Sequence, residues 1–122
     1  MFTVAELKRI DFNGPIFNRD EAQLAILNST YFISLCLSIG EKGKEGADYF
    51  YVDIFNTNWI KEKKIVLGNN SIILDDFDDF DDIENSIAEL INTIYGNSWD
   101  EVLIKLRKYF DWEYEKLKTL GK

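Results

Sequence analysis

A chain of 122 residues, 46% hydrophobic and 15% aromatic, carries enough apolar side chains for one packed core and fits a single domain spanning 1–122. That composition excludes a disordered chain, and a net charge of -8 argues against direct nucleic-acid binding and against anionic membranes, both of which need Lys/Arg surfaces. One cysteine excludes an intrachain disulfide, and the lack of histidine removes the commonest general base and transition-metal ligand.

The opening MFTVAELKRIDF shows no basic segment followed by an apolar run, so it does not read as a signal peptide. No apolar stretch reaches the roughly 18–20 residues of a membrane span, and a cytoplasmic location is expected. Phe2, Val4, Leu7, Ile10 and Phe12 predict a first strand, broken by Asn13-Gly14-Pro15. Residues 16–29 stay open between a short helix over Ala22–Leu27 capped by Asp20 and a loop over the core.

TYFISLCLSI, residues 30–39, alternates with period two: Tyr31, Ile33, Leu35, Leu37 and Ile39 on one face, Phe32, Ser34, Cys36 and Ser38 on the other. The loop GEKGKEG leads to DYFYVDIFN, residues 48–56, where Phe50, Val52 and Ile54 oppose Tyr49, Tyr51, Asp53 and Phe55. The short connection predicts an antiparallel hairpin. TNWIKEKK, 57–64, reads as a helical turn capped by Thr57 or Asn58, and residues 65–74 as strand material interrupted by a Gly68-Asn69-Asn70 turn.

Ile83, Ile87, Leu90, Ile91 and Ile94 lie on one helical stripe. Asp81 and Glu84 resemble a capping box, and Gly96 sits where a C-terminal glycine is expected. Ser98 and Glu101 form a second box, opening a stripe through Trp99, Val102, Leu103, Leu106 and Phe110 toward Tyr114 and Leu117. Trp99 and Phe110 are expected in the core; Tyr109 and Trp112 could serve either core or surface. Strands first and helices last predict an α+β fold: an antiparallel sheet of about four strands with two C-terminal helices packed on one face.

The charge is concentrated. DDFDDFDDIE, residues 75–84, holds seven acids and no base; the rest of the chain has 15 acids against 14 bases. An EF-hand loop needs alternating oxygen ligands and a glycine, and neither pattern occurs here, so no metal ligands and no cofactor are assigned. Cys36 without histidine cannot form a Cys–His pair and is expected as a packed small residue. GEKGKEG matches no phosphate-binding loop. No catalytic residues are assigned and no enzyme activity is expected. Carboxylates in a first helical turn suit the helix dipole, but one or two suffice, and the surplus invites a basic partner. A second reading, a small metal-dependent or hydrolytic enzyme using the same carboxylates, is separated by calorimetry with Ca²⁺, Mg²⁺ and Mn²⁺; a generic interaction adaptor is a third.

Two segments resemble the bacterial Immunity protein 8 family. In residues 32–60 the shared features are Ile39-Gly40, the loop Gly43 to Gly46, the aromatic strand Asp48 to Phe55, and Thr57 with Trp59. In residues 98–117 they are Trp99, Glu101, Leu106, Arg107, Tyr109, Phe110, Trp112, Glu113 and Tyr114. Asn58 departs from the family's frequent proline, and Lys108 is interposed between Arg107 and Tyr109. The resemblance implies a non-enzymatic immunity protein, a monomer by expectation, that binds and neutralises the C-terminal domain of a polymorphic or contact-dependent toxin, many of which are nucleases with basic surfaces. The candidate partner-binding residues are then Asp75, Asp76, Phe77, Asp78, Asp79, Phe80, Asp81, Asp82 and Glu84. Phe77 and Phe80 act there either as apolar anchors or as inward pins. Trp112, Glu113 and Tyr114 form a secondary candidate surface.

Overall fold

The computed structural model describes residues 2–63, 71–74 and 76–114. The elements run β1 (Thr3–Phe12), α1 (Arg19–Ala25), β2 (Phe32–Glu41), β3 (Asp48–Asn56), α2 (Thr57–Lys63), β4 (Ser71–Leu74), α3 (Phe80–Asn92), β5 (Tyr95–Gly96), α4 (Trp99–Leu106) and β6 (Asp111–Trp112). The expected 65–70 strand segment with its turn, and Leu117, lie outside the described residues.

β2 and β3 form the predicted antiparallel hairpin, with Leu35 opposite Val52 and Leu37 opposite Phe50. β1 pairs antiparallel with β2, its register shifting between Leu7 and Arg9 at a bulge. The expectation of a purely antiparallel sheet of about four strands is corrected at both edges. The order is β4-β3-β2-β1-β5, with β6 also on β3. β4 runs parallel to β3, Ile54 opposite Ile72, because the connection between them contains α2 and is long enough for the chain to return in the same direction. β6 takes the other half of the same edge, Phe50 opposite Trp112, and runs antiparallel. β5 and β6 are two residues each, too short to show a period in sequence.

One face of the sheet is covered. Ile33, Leu35, Leu37, Ile39, Phe50, Val52 and Ile54 join Ala22 and Ile26 of the α1 region, Ile83, Ile87 and Ile91 of α3, and Val102 and Leu106 of α4 in one buried cluster. Both C-terminal helices therefore pack on one face, as predicted, and α1 joins them. Leu90, on the expected stripe, is exposed. Phe110 is fully buried, 6.4 Å from the Phe50 ring, whereas Trp99 is only half-buried.

Among the described residues the opposite face is covered only at one end. There Trp59 of α2 lies 5.0 Å from Phe32 and 5.1 Å from Phe55, ring to ring. α2 is not capped by Thr57 or Asn58: Asn56 Oδ1 accepts from Trp59 N, the distance of three residues typical of a cap. Asn56 is fully buried and also donates to the Ser29 carbonyl and to Asp76.

Two glycines of the sequence patterns prove to be matters of space. A Cβ on Gly40 would lie 2.3 Å from the Gly46 carbonyl oxygen, so the strand end admits no side chain beside the loop. Gly96 does not terminate α3, which ends at Asn92; it lies in β5, opposite Thr3, where a Cβ would meet Glu101 at 2.8 Å. α4 is shorter than its stripe suggested. It ends at Leu106, and a turn carries the chain to β6, so Trp112 sits on a strand.

Candidate partner-binding surface

The acidic segment is organised around the start of α3. The helix begins at Phe80, two residues earlier than the Asp81–Glu84 box implied. Asp79, with extended backbone, is its N-cap and accepts from Asp81 N at 2.9 Å. Phe80 is 1% exposed and lies 5.5 Å from Phe12, so of its two expected roles it takes the inward one. Phe77 is half-buried against the core. The two phenylalanines thus fix the backbone while the aspartates between them face outward. Asp75 lies outside the described residues.

α1 braces this segment. Gln23 Nε2 donates to the Asp78 carbonyl at 2.7 Å and its Oε1 accepts from Phe80 N at 2.7 Å. One turn earlier, Arg19 pairs with Asp81 at 2.9 Å and with Glu84, its guanidinium 5.2 Å above the Phe80 ring. The Glu84 carboxylate raises the Arg19 pKa further, so the guanidinium stays charged. Asp76 is tied to Asn56 at 3.2 Å. Asp78 and Asp82 are exposed, and no described residue bonds their carboxylates. Arg19 and Gln23 were missed in the sequence; their spacing of four on an amphipathic turn was the available signal. The helix they sit on is capped by Asn18, which accepts from Glu21 N, and not by Asp20.

The secondary surface is divided by the pleat. Trp112 faces the core side, with Arg107 5.1 Å above its ring. Glu113 lies on the open face, its amide donating to the Tyr49 carbonyl at 2.9 Å. Tyr114 is exposed, edge-on to Trp112 at 5.1 Å. Of the other residues of the two sequence patterns, Tyr49, Tyr51 and Tyr109 are exposed, whereas Trp99 and Glu101 are built into the fold. Trp99 Nε1 donates to Asp48 at 3.0 Å. Ser98 accepts from Glu101 N, and Glu101 returns the bond to Asn97 N, so that box closes one residue early.

Cys36 is half-buried on the open sheet face instead of packed inside. Burial first, then Asp11 and Glu113, push its thiol above the ordinary value, which disfavours the nucleophilic thiolate. Among the described residues no group of three or more His, Cys, Asp or Glu side chains is arranged to hold a metal ion. No described helix is long and apolar enough to cross a membrane.

A family model described as Immunity protein 8 matches residues 6–117, nearly the whole chain. No curated protein and no solved structure matches.

Proposed function

The chain belongs to the Immunity protein 8 family, and on that premise we propose that it neutralises a cognate toxin domain in the cytoplasm by direct protein–protein binding, without catalysis. The toxin domain is a nuclease with a basic substrate-binding surface. The acidic crest Asp76–Glu84 lies over the Lys/Arg side chains that hold its substrate.

Family membership carries the immunity role; the geometry of the crest supports its use as a docking element. Asp79, Asp81 and Glu84 are held in place by the helix start and by Arg19, so the segment is ordered before a partner arrives. Pre-ordering lowers the entropic cost of association. Asp78 and Asp82 project from that frame as exposed carboxylates. Such a concentrated negative surface accelerates capture of a basic partner, most strongly at low salt.

The test is a fourfold variant, Asp78→Asn, Asp79→Asn, Asp81→Asn and Asp82→Asn. Asparagine caps helices as well as aspartate, so the fold should persist. Stopped-flow association with the inactivated toxin domain encoded beside the gene should slow by about tenfold at low salt and lose most of its salt dependence. Unchanged association and unchanged protection of growing cells would reject the crest as the docking element.

A further inference from the structure

The uncovered half of the sheet presents a second chemistry that the crest does not use. Cross-strand register sets its rows. Asp11 of β1 lies beside Cys36, Cys36 beside Tyr51, and Tyr51 beside Asp111. In the next row Arg9, Ser38 and Tyr49 follow one another, Ser38 buried between its neighbours at 6% exposure, with Glu113 bonded to Tyr49 at the edge. Asp53 flanks them from the other side, accepting from Ser34 Oγ at 2.7 Å. α1, α3 and α4 contribute to the cluster on the opposite face, and among the described residues Trp59 covers the Phe32–Phe55 end and no helix covers the rest.

Tyr49 is 48% exposed and Tyr51 39%, on adjacent positions of one face of β3. A tyrosine held on a strand offers a large contact area with few torsions to freeze, which is why this residue is enriched among interface hot spots. Arg9 is the only cation in these rows, and it is paired with Asp11 at 3.0 Å. The Tyr51 phenol is pushed up by burial, then by Cys36, Glu113 and Tyr49, so it stays a neutral donor at physiological pH.

We propose that this open sheet face, centred on Tyr49, Tyr51 and Asp53, is a second docking surface for the toxin domain, receiving Lys/Arg side chains over the two rings and beside the flanking carboxylates. It rests on the toxin-binding reading above and adds an interface to it. Charge selects the occupant. A second copy of the chain would bring like charges together, and a nucleic acid or an anionic membrane would be repelled for the same reason. A cationic protein surface is attracted by the carboxylates and by the faces of the phenol rings.

Cys36 gives the test a built-in reporter, because it is the sole cysteine of the chain and lies beside Tyr51. Alkylation by iodoacetamide at pH 8.5 is followed by mass spectrometry, free and saturated with the inactivated toxin domain. In parallel, calorimetry compares the wild type with the triple variant Tyr49→Ser, Tyr51→Ser and Asp53→Asn, its fold checked by circular dichroism. The expected results are at least tenfold slower alkylation in the complex and at least tenfold weaker binding by the folded triple variant. Binding within twofold of wild type, or a Cys36 alkylated as fast in the complex as outside it, overturns the proposal. Alkylation protected by self-association of the free chain overturns it in favour of a second copy. Should the wild type itself fail to bind the toxin domain, the toxin-binding reading falls first; should it bind while only the sheet-face measurements fail, this proposal alone falls. The fourfold crest variant, run alongside, should leave Cys36 protection in the saturated complex intact.

Discussion

On β2, Ile33, Leu35, Leu37 and Ile39 are at most 1% exposed, while Ser34 and Cys36 between them stay half-buried. On β3 the same alternation sets Phe50, Val52 and Ile54 against Tyr49, Tyr51 and Asp53. The backbone is shared, so the difference arises from what lies above each face. Three helices close one side and demand branched and aromatic hydrocarbon. Among the described residues the other side has Trp59 over one end, and the rest keeps groups that water can solvate or that bond one another, as Ser34 and Asp53 do. One strand therefore buries one row of side chains and presents the other, divided by the pleat.

The sharpest test of that division substitutes neighbours. Phe50→Ala should destabilise the fold by about 3–5 kcal/mol in urea unfolding, from lost transfer energy and the cavity left behind. Tyr51→Ala, one residue on, should cost under about 1 kcal/mol, as expected of a side chain more than a third exposed. Comparable losses would mean that the open face is buried in solution.

Asn56 stands where the two faces meet, at the end of β3. Asn56→Ala deprives the Trp59 amide of its acceptor and leaves the Ser29 carbonyl with Asn58 as its remaining side-chain donor, and should cost about 1–3 kcal/mol. If thermal melting showed no loss, water would be replacing the side chain, and the cover provided by Trp59 would be looser than its ring contacts indicate.

The smallest expected effect is on pH dependence. The Cys36 thiol is raised above its ordinary value near 9, chiefly by burial. The folded state therefore holds this proton more tightly than the unfolded chain. The stability it contributes is fully present below about pH 9 and is lost as pH rises through the folded value. Urea midpoints at pH 8 and pH 10 should diverge for the wild type and draw closer for Cys36→Ala. An unchanged slope would show that Cys36 contributes nothing to alkaline sensitivity.

What could be read in the sequence followed periodicity. The β2–β3 hairpin and the α3 stripe were legible because burial on one side imposes a repeat; β1 shows a mixed period in sequence, and its bulge between Leu7 and Arg9 is the reason. The parallel pairing of β4 was not, because direction depends on how the chain crosses over, which four residues of strand do not reveal. α4 was overextended because Phe110 keeps helical spacing with Leu106 after the helix has ended; a turn can return a side chain to the core as well as another helical residue can. At the candidate site, the acids were plain in the sequence. The brace of Arg19 and Gln23 was not, since contacts across some sixty residues leave no periodic trace. The open face was visible as an alternation but looked like ordinary solvated polarity; no described helix packs over it beyond the Trp59 end.

The short strand β6 has a consequence for synthesis. It pairs with β3 through Trp112 and Phe50, and β5 ties Gly96 to Thr3, so the earliest strand and the central hairpin are both completed by segments made late. The Phe50–Tyr51 half of the hairpin edge stays open until residue 112 has emerged from the ribosome, while β4 pairs the other half. Such long-range closure slows folding relative to a helical bundle of similar size. The described sheet is therefore completed only after β5 and β6 have been synthesised, later than the strands they join.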